Sequence, residues 1–264
     1  TMMTSKTEPR LLCYDLGEGV TAFSTTRHGG VSEANYASFN INPYCGDSAD
    51  HVARNRQLLA DRLGLPASHI VLPHQVHGIE HRAVAPELLD MSDAVRDKIL
   101  DGVDMVTTSM TGVCIGVSTA DCIPVLLYDP VARATAAIHA GWRGTLQRIC
   151  QRAVMAMQLH YGTTPDRLRA VVGPGISLAN FEVGQEVYDQ FVQAGFDLTE
   201  TAEWHTKWHL DLPGINIREL IGCGVAPEHI HHAGICTFDH ADDYFSARRL
   251  GIDSGRIYTG ILMR

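Results

Sequence analysis

The sequence predicts an α/β or α+β fold, a single layered domain with mixed β-sheets flanked by helices. Two observations carry this. Short runs dense in Val, Ile, Leu and Ala recur along the chain, and helical patterns are interleaved with them rather than segregated. The 264 residues are 45% hydrophobic and 19% charged, an ordinary globular balance with enough length for a substantial core.

Residues 1–15 read as a leader or edge segment, and residues 16–264 as the domain itself. Residues 20–26 form a strand pattern that closes on the turn Gly29-Gly30. Asp47 or Ser48 can cap a helix running to Leu63, with Val52, Leu58, Leu59 and Leu63 as its apolar stripe and Gly64 as its stop. Residues 70–76 and 80–84 read as strands around a turn at Gly78. Residues 112–118, 123–128 and 134–139 are three continuous apolar runs, the pattern of buried strands. A helix follows over 145–160, then a strand over 168–172 that ends in the turn Gly173-Pro174-Gly175. Helices are expected over 181–194 and 215–222, the second entered through Pro213 and Gly214. Residues 229–234 and 255–263 close the fold as strands.

Composition narrows the function classes. The net charge is −9 and no Lys/Arg block interrupts it, which argues against nucleic-acid binding. No segment approaches the ~18–20 continuous apolar residues of a membrane helix. The first residues lack a long apolar run before a cleavage site, so no signal peptide is expected and a cytoplasmic home is. Seven cysteines, an odd number with no CxxC pair, do not suggest a disulfide framework.

Three segments concentrate the chemistry: Gln75-Val76-His77-Gly78, Thr119-Ala120-Asp121-Cys122, and His139-Ala140-Gly141-Trp142-Arg143-Gly144. Each sets a metal-capable side chain where a strand meets a tight turn, and ligands at strand ends are well fixed. Imidazole and thiolate together suit zinc, with copper the alternative. Three protein ligands leave a fourth position for water or substrate. The spacing matches no regular zinc motif, so a buried core thiol at Cys122 and turn-capping histidines remain the plain alternative. His74 competes with His77. Three positions apart on a strand, the two would face opposite sides.

Read together and in order, TTRHGGVS (25–32), SFNIN (38–42), NRQLL (55–59), QVHG (75–78), TADCIPVLLYD (119–129), HAGWRGT (139–145), GPGI (173–176), FEVG (181–184) and the late CT…YFSARR (236–249) resemble the laccase-domain, or polyphenol oxidoreductase, family. That family is also described as purine nucleoside phosphorylases with adenosine deaminase activity. The resemblance spans residue 20 to the C-terminus, and the combination QVHG…TADC…HAGWRG is its specific part. It implies a layered fold similar to the catalytic domain of deamidating toxins, and one metal on His77, Cys122 and His139. It further implies adenosine, inosine, guanosine and methylthioadenosine as substrates, with phosphate as co-substrate. Oligomeric state is left at monomer or small homo-oligomer.

Residue chemistry extends the expectation. A metal-acidified water could attack C6 of adenine, with Asp121 as a proton shuttle or merely a turn carboxylate. Phosphorolysis needs an anion site, and Arg27, Arg143 and Arg248 are the arginine candidates. Asn40, Gln75 and Ser24 could bond ribose or base, and Trp142 could stack on a purine or pack in the core. Three rivals stand beside this reading. A copper-dependent laccase needs paired His-x-His patterns, and only His229-Ile230-His231 supplies one. A cysteine hydrolase or amidase would use Cys122 as nucleophile and His139 as base, with a peptidoglycan-editing role. The third is a non-enzymatic metal-binding module.

Overall fold

The computed structural model describes residues 7–264. The chain opens with β1 (Leu11–Tyr14), β2 (Val20–Thr25), α1 (Ala49–Leu63), β3 (Ile70–Val71) and β4 (His81–Val84). Next come α2 (Pro86–Asp90), α3 (Asp93–Ile99), β5 (Met105–Thr108), β6 (Cys114–Thr119), β7 (Ile123–Asp129) and β8 (Ala134–Ala140). The second half holds α4 (Trp142–Leu146), α5 (Ile149–Tyr161), β9 (Arg169–Val172), β10 (Glu182–Val183), α6 (Gln185–Gln193), β11 (Ala202–Trp204) and β12 (Trp208–Leu210). It closes with α7 (Leu212–Gly222), β13 (Ile230–His232), α8 (Ala247–Leu250) and β14 (Ile257–Met263).

Two large mixed sheets lie face to face. The first has strand order β1-β2-β14-β6-β3 and the second β13-β9-β7-β8-β5-β4, with a small antiparallel sheet β10-β12-β11 beside them. Alternation along the strands explains the layering. Leu126 and Tyr128 of β7, Ala137 of β8, Ile115 and Val117 of β6, and Ile261 and Met263 of β14 fill the space between the sheets. The alternate residues Val125, Leu127, Ala136 and Ile138 pack outward on Ile149, Ala153 and Met157 of α5, Phe191 of α6 and Ile215 of α7. The outer face of the first sheet, with Phe23, Cys114 and Tyr258, packs on Leu58, Leu59 and Leu63 of α1. The result is a helix–sheet–sheet–helix stack in which both faces of each large sheet are covered, so its central strands read as continuous apolar runs.

Local signals account for most boundaries. The Ser48 hydroxyl accepts from the His51 amide, and Gly64 closes α1 in the left-handed region at φ 70°. The Asp211 carboxylate accepts from the Gly214 amide at 3.0 Å and, with Pro213 in the first turn, starts α7 three residues before the expected 215. On β6 and β14, Gly116 and Gly260 face each other across the ladder because the Tyr258 ring fills the space a side chain at either would need. That ring is held where its hydroxyl donates to the Val71 carbonyl at 2.8 Å.

Several expected elements differ. The strand expected over 70–76 stops at Val71, and residues 72–78 form a connecting loop between the two large sheets. The helix expected over 145–160 is two helices, because Arg148 takes a left-handed backbone (φ 60°) between α4 and α5. The helix expected over 181–194 starts only at Gln185. Val183 and Glu182 pair instead with Trp208 and His209 of β12. Leu11–Tyr14 pairs with β2 as an edge strand, while residues 1–6 of the expected leader lie outside the described residues. Leu126 sits fully buried between the sheets, so Leu126→Ala is expected to lower stability by about 2–5 kcal/mol, read as a lower urea midpoint with an unchanged slope.

Candidate metal centre

The seam between the two large sheets positions the site. β6 of the first sheet passes directly into β7 of the second through residues 120–122, which places Cys122 at the crossing. The loop 72–78 crosses the same seam and carries His77, whose backbone is left-handed at φ 63°. His139 lies near the end of β8, one residue before Ala140. The ligand atoms of His77, Cys122 and His139 all lie within 4.8 Å of one another. His139 is buried, Cys122 half-buried and His77 exposed, so the cluster opens on one side only.

Asp104 organises it. Its Oδ2 bonds His139 Nδ1 at 2.7 Å and accepts the His77 amide at 3.0 Å. Its Oδ1 accepts the Val76 and Gly78 amides at 3.0 and 3.1 Å. The carboxylate therefore holds three consecutive amides of the His77 turn and fixes the orientation of the His139 ring. With Nδ1 so engaged, Nε2 is the nitrogen left to ligate, the usual carboxylate–histidine–metal arrangement. Asp104 is fully buried. Burial alone would raise its pKa, but the His139 hydrogen bond and charge, with the amides, hold it below the ordinary carboxylate range.

The cluster is electrostatically prepared. Burial pushes the Cys122 thiol up, but the charge on His139 and hydrogen bonds from His139 and His77 outweigh it and bring the pKa down to about 6. Burial works against a charged His139, yet the Cys122 thiolate and the Asp104 carboxylate raise it to about 9. Between those values the pair rests as thiolate and imidazolium.

A divalent ion fits this donor set. Zinc–nitrogen and zinc–sulfur bonds of about 2.0–2.3 Å put tetrahedral ligands about 3.3–3.6 Å apart, so a small inward closure of the three groups suffices. The space is reserved by Gly141, where a Cβ would stand 3.1 Å from Cys122 Sγ and 3.2 Å from His77 Cδ2.

The cluster borders a cavity of about 720 Å³, a size that suits a small-molecule ligand. Ile176, Phe181, Trp142 and Leu212 supply apolar wall, and His74, Tyr44 and Arg256 line it as well. Two buried hydroxyls on the wall, Ser118 Oγ and Thr119 Oγ1, have no partner among the described residues.

Of the other residues singled out from the sequence, Asp121, Gln75, Arg248 and Trp142 line the cavity. Asp121 is fully committed: Oδ1 accepts from the Thr237 hydroxyl at 2.7 Å and Oδ2 from the Arg248 amide at 2.8 Å. The Gln75 amide accepts from Ser118 N at 2.7 Å and donates to Ser118 O at 2.6 Å, in effect capping β6. The Arg248 guanidinium bonds the Glu182 carbonyl at 2.9 Å and lies over the Phe181 ring.

Arg27, Asn40, Arg143 and Ser24 do not line the cavity, each for a structural reason. Arg27 donates to the Ala37 and Ala241 carbonyls at 2.8 Å and covers Phe245. Asn40 is buried and ties Asn42, Asp47 and Arg256 together. Arg143 is exposed and folds over Trp142. Ser24 bonds Tyr14 and Thr259 inside the first sheet.

His74 also departs from expectation. With no strand at 72–78 the opposite-face argument does not apply, and His74 and His77 border the same cavity. The sequence points to no role for Asp104, Ser118 or Tyr44, which the structure sets at or beside the site. The one local trace of Asp104 is an acidic residue directly before the buried strand Met105–Thr108.

Residues 21–264 match the family described as multi-copper polyphenol oxidoreductase laccase. The chain belongs to that family. Among the relatives it resembles, a purine nucleoside phosphorylase of Bacteroides thetaiotaomicron is 42% identical over 268 residues, covering 99% of each chain. Adenosine deaminase RL5, from an unknown prokaryotic organism, is 40% identical, covering 92% of this chain and 94% of its own. The crystal structure of the Bacillus licheniformis protein YfiH superposes with a TM-score of 0.90 at 29% identity over 97% of each chain. That of YlmD from Geobacillus stearothermophilus gives 0.85 at 30% identity, over 94% of this chain and 93% of its own.

Two outcomes test the centre. In metal-stripped protein, alkylation mapped to Cys122 should rise with pH about a midpoint of about 6 rather than the ordinary thiol value, and His139→Ala should move that midpoint upward. Asp104→Asn should weaken metal binding about 10–100-fold, measured by chelator competition.

Proposed function

We propose that this chain is a metal-dependent purine nucleoside phosphorylase, acting on adenosine, inosine, guanosine and methylthioadenosine, with adenosine deaminase activity. The observation that carries the reading is the gathered donor set of His77, Cys122 and His139 beside a nucleoside-sized cavity. Relatives bearing both activities by name support it.

Two imidazoles and a thiolate favour zinc, with copper the competing ion. Bound there, zinc supplies Lewis acidity and the means to acidify a water toward neutrality, which purine deamination requires. The protein's own groups do the rest. Trp142, Phe181 and Ile176 give the base an apolar bed, and the unpartnered Ser118 and Thr119 hydroxyls offer hydrogen bonds to ribose or base. Arg248 is the phosphate ligand of choice, with Arg256 as a second arginine on the wall. Asp121 holds the Arg248 segment through the Arg248 amide, a positioning role. Gln75 fixes the end of β6 from which Ser118 projects.

Residues 16–264 act as one catalytic unit in this reading, supported by the core shared between the two large sheets. A cytoplasmic home is inferred with it. No helix among the described residues is long and apolar enough to cross a membrane.

The thiolate–imidazolium pair of Cys122 and His139 favours one second reading, a cysteine hydrolase working without metal. True multicopper chemistry has less support, since the described residues gather a single cluster of three ligating groups. One experiment separates these. Metal-quantified protein is given adenosine with and without phosphate. Adenine plus ribose 1-phosphate is expected only with phosphate, and inosine in either case. Both activities should fall about 100-fold or more in His77→Ala. Hydrolytic activity that appears only after chelation would replace this function with the cysteine-hydrolase one.

A further inference from the structure

Besides His77 and His139, the cavity wall holds a third histidine, His74, which is half-exposed but fixed on several sides. His74 is locked through its backbone: its amide donates to the Leu100 carbonyl at 2.9 Å, and its own carbonyl accepts the Gly102 and Val103 amides at 2.9 and 3.2 Å. Its side chain is fixed twice more. Nδ1 bonds Asp101 Oδ1 at 2.8 Å, and the Tyr44 ring stacks on the imidazole at 4.0 Å with planes 21° apart. Both His74 and Tyr44 line the cavity. Nε2 is thus the ring nitrogen that no protein group takes among the described residues.

We propose that His74 is the general acid that protonates the departing purine, with Asp101 as its positioning residue. This rests on the nucleoside-cleaving reading above. In phosphorolysis the C1′–N9 bond breaks and its electron pair passes to the purine, while a phosphate oxygen bonds C1′. The purine leaves easily only if a ring nitrogen, N7 being the accessible one, gains a proton as the bond breaks. The imidazolium donates that proton from Nε2. The proton that hydrogen phosphate sheds on forming its ester restores the imidazolium through solvent, so atoms and charge balance. A side-chain exposure of 41% leaves His74 open to that return path.

The other groups on the wall are less suited. His77, Cys122 and His139 form the metal cluster. Asp121 has both oxygens engaged. Burial, followed by Asp97 and Asp101, raises the Tyr44 phenol so that it holds its proton. Asp253 sits on an exposed turn. Histidine is the side-chain type that takes up and releases protons near neutrality, and the Asp101 carboxylate on Nδ1 orients the ring so that Nε2 is the nitrogen left for a substrate.

The test uses the metal-loaded full chain, phosphate, and two substrates: inosine, and 7-methylinosine, whose base already carries the positive charge and departs without a proton. His74→Ala should lower kcat for inosine about 10²–10⁴-fold, with KM changed only a few-fold and metal content unchanged. It should cleave 7-methylinosine within a few-fold of the unsubstituted chain, and added imidazole should restore part of the inosine rate. Asp101→Asn should show the same pattern at roughly a tenth of the effect. Equal loss on both substrates, or no loss on either, overturns the assignment. An unsubstituted chain that cleaves neither nucleoside overturns the functional reading and the inference with it, an outcome distinct from the other two.

Discussion

One buried carboxylate sets the geometry on which the site depends. Asp104 accepts the amides of Val76, His77 and Gly78 and grips His139 through Nδ1. Without it, a turn with a left-handed histidine would have three inward-facing amides and no acceptor, and the His139 ring could rotate. The same residue binds through its backbone, giving its amide to Glu80 O and accepting His139 N. Two of the three candidate ligands are therefore placed by one side chain that does not itself line the cavity. A buried charge is costly unless fully partnered, and here each oxygen of the Asp104 carboxylate has two partners.

The larger architecture explains why candidate ligands so distant in sequence converge. Each large sheet is coated on both faces, so its strands are rigid, and the chain crosses from one sheet to the other at residues 72–78 and again at 120–122. The crossings are the places where backbone leaves the ladders and side chains can turn toward a common point. Cys122 and His77 ride on these crossings, and His139 stands at the end of a strand in the second sheet. The cavity opens where the seam meets the late segment around Arg248, which Asp121 pins from the crossing itself.

Much of the fold was legible from local chemistry. The runs at β6, β7 and β8 are buried throughout and mostly apolar because both faces are covered, and Ser48 and Gly64 mark α1 at either end. What failed depended on partners far away in the chain. Nothing near Phe181 says that Glu182 and Val183 will pair with β12, which delays α6 until Gln185. The stretch at 70–76 looks like one strand, yet only Ile70 and Val71 pair with a strand, β6, while His74 makes an isolated bridge to Asp101, a partner the local sequence does not announce. The three candidate ligands are suggested by strand-end turns and by family motifs. Asp104 has only its place before a buried strand to mark it, since its partners at 76–78 and 139 are set by tertiary folding. Arg27 and Asn40 sit in motifs as conspicuous as the ligands', but their polarity serves the packing of loops.

The thiolate–imidazolium pair has a further effect on the metal-free protein. A thiol lowered from 9.0 to about 6 adds stability that is complete above pH 9 and vanishes as pH drops through 6. An imidazole raised from 6.5 to about 9 adds stability that is complete below pH 6.5 and vanishes as pH climbs through 9. Across neutrality one contribution grows while the other shrinks, because folding only relocates a proton from sulfur to nitrogen and releases almost none. The folding equilibrium is thereby nearly blind to acidity at this pair, even though the reactivity of its sulfur is not.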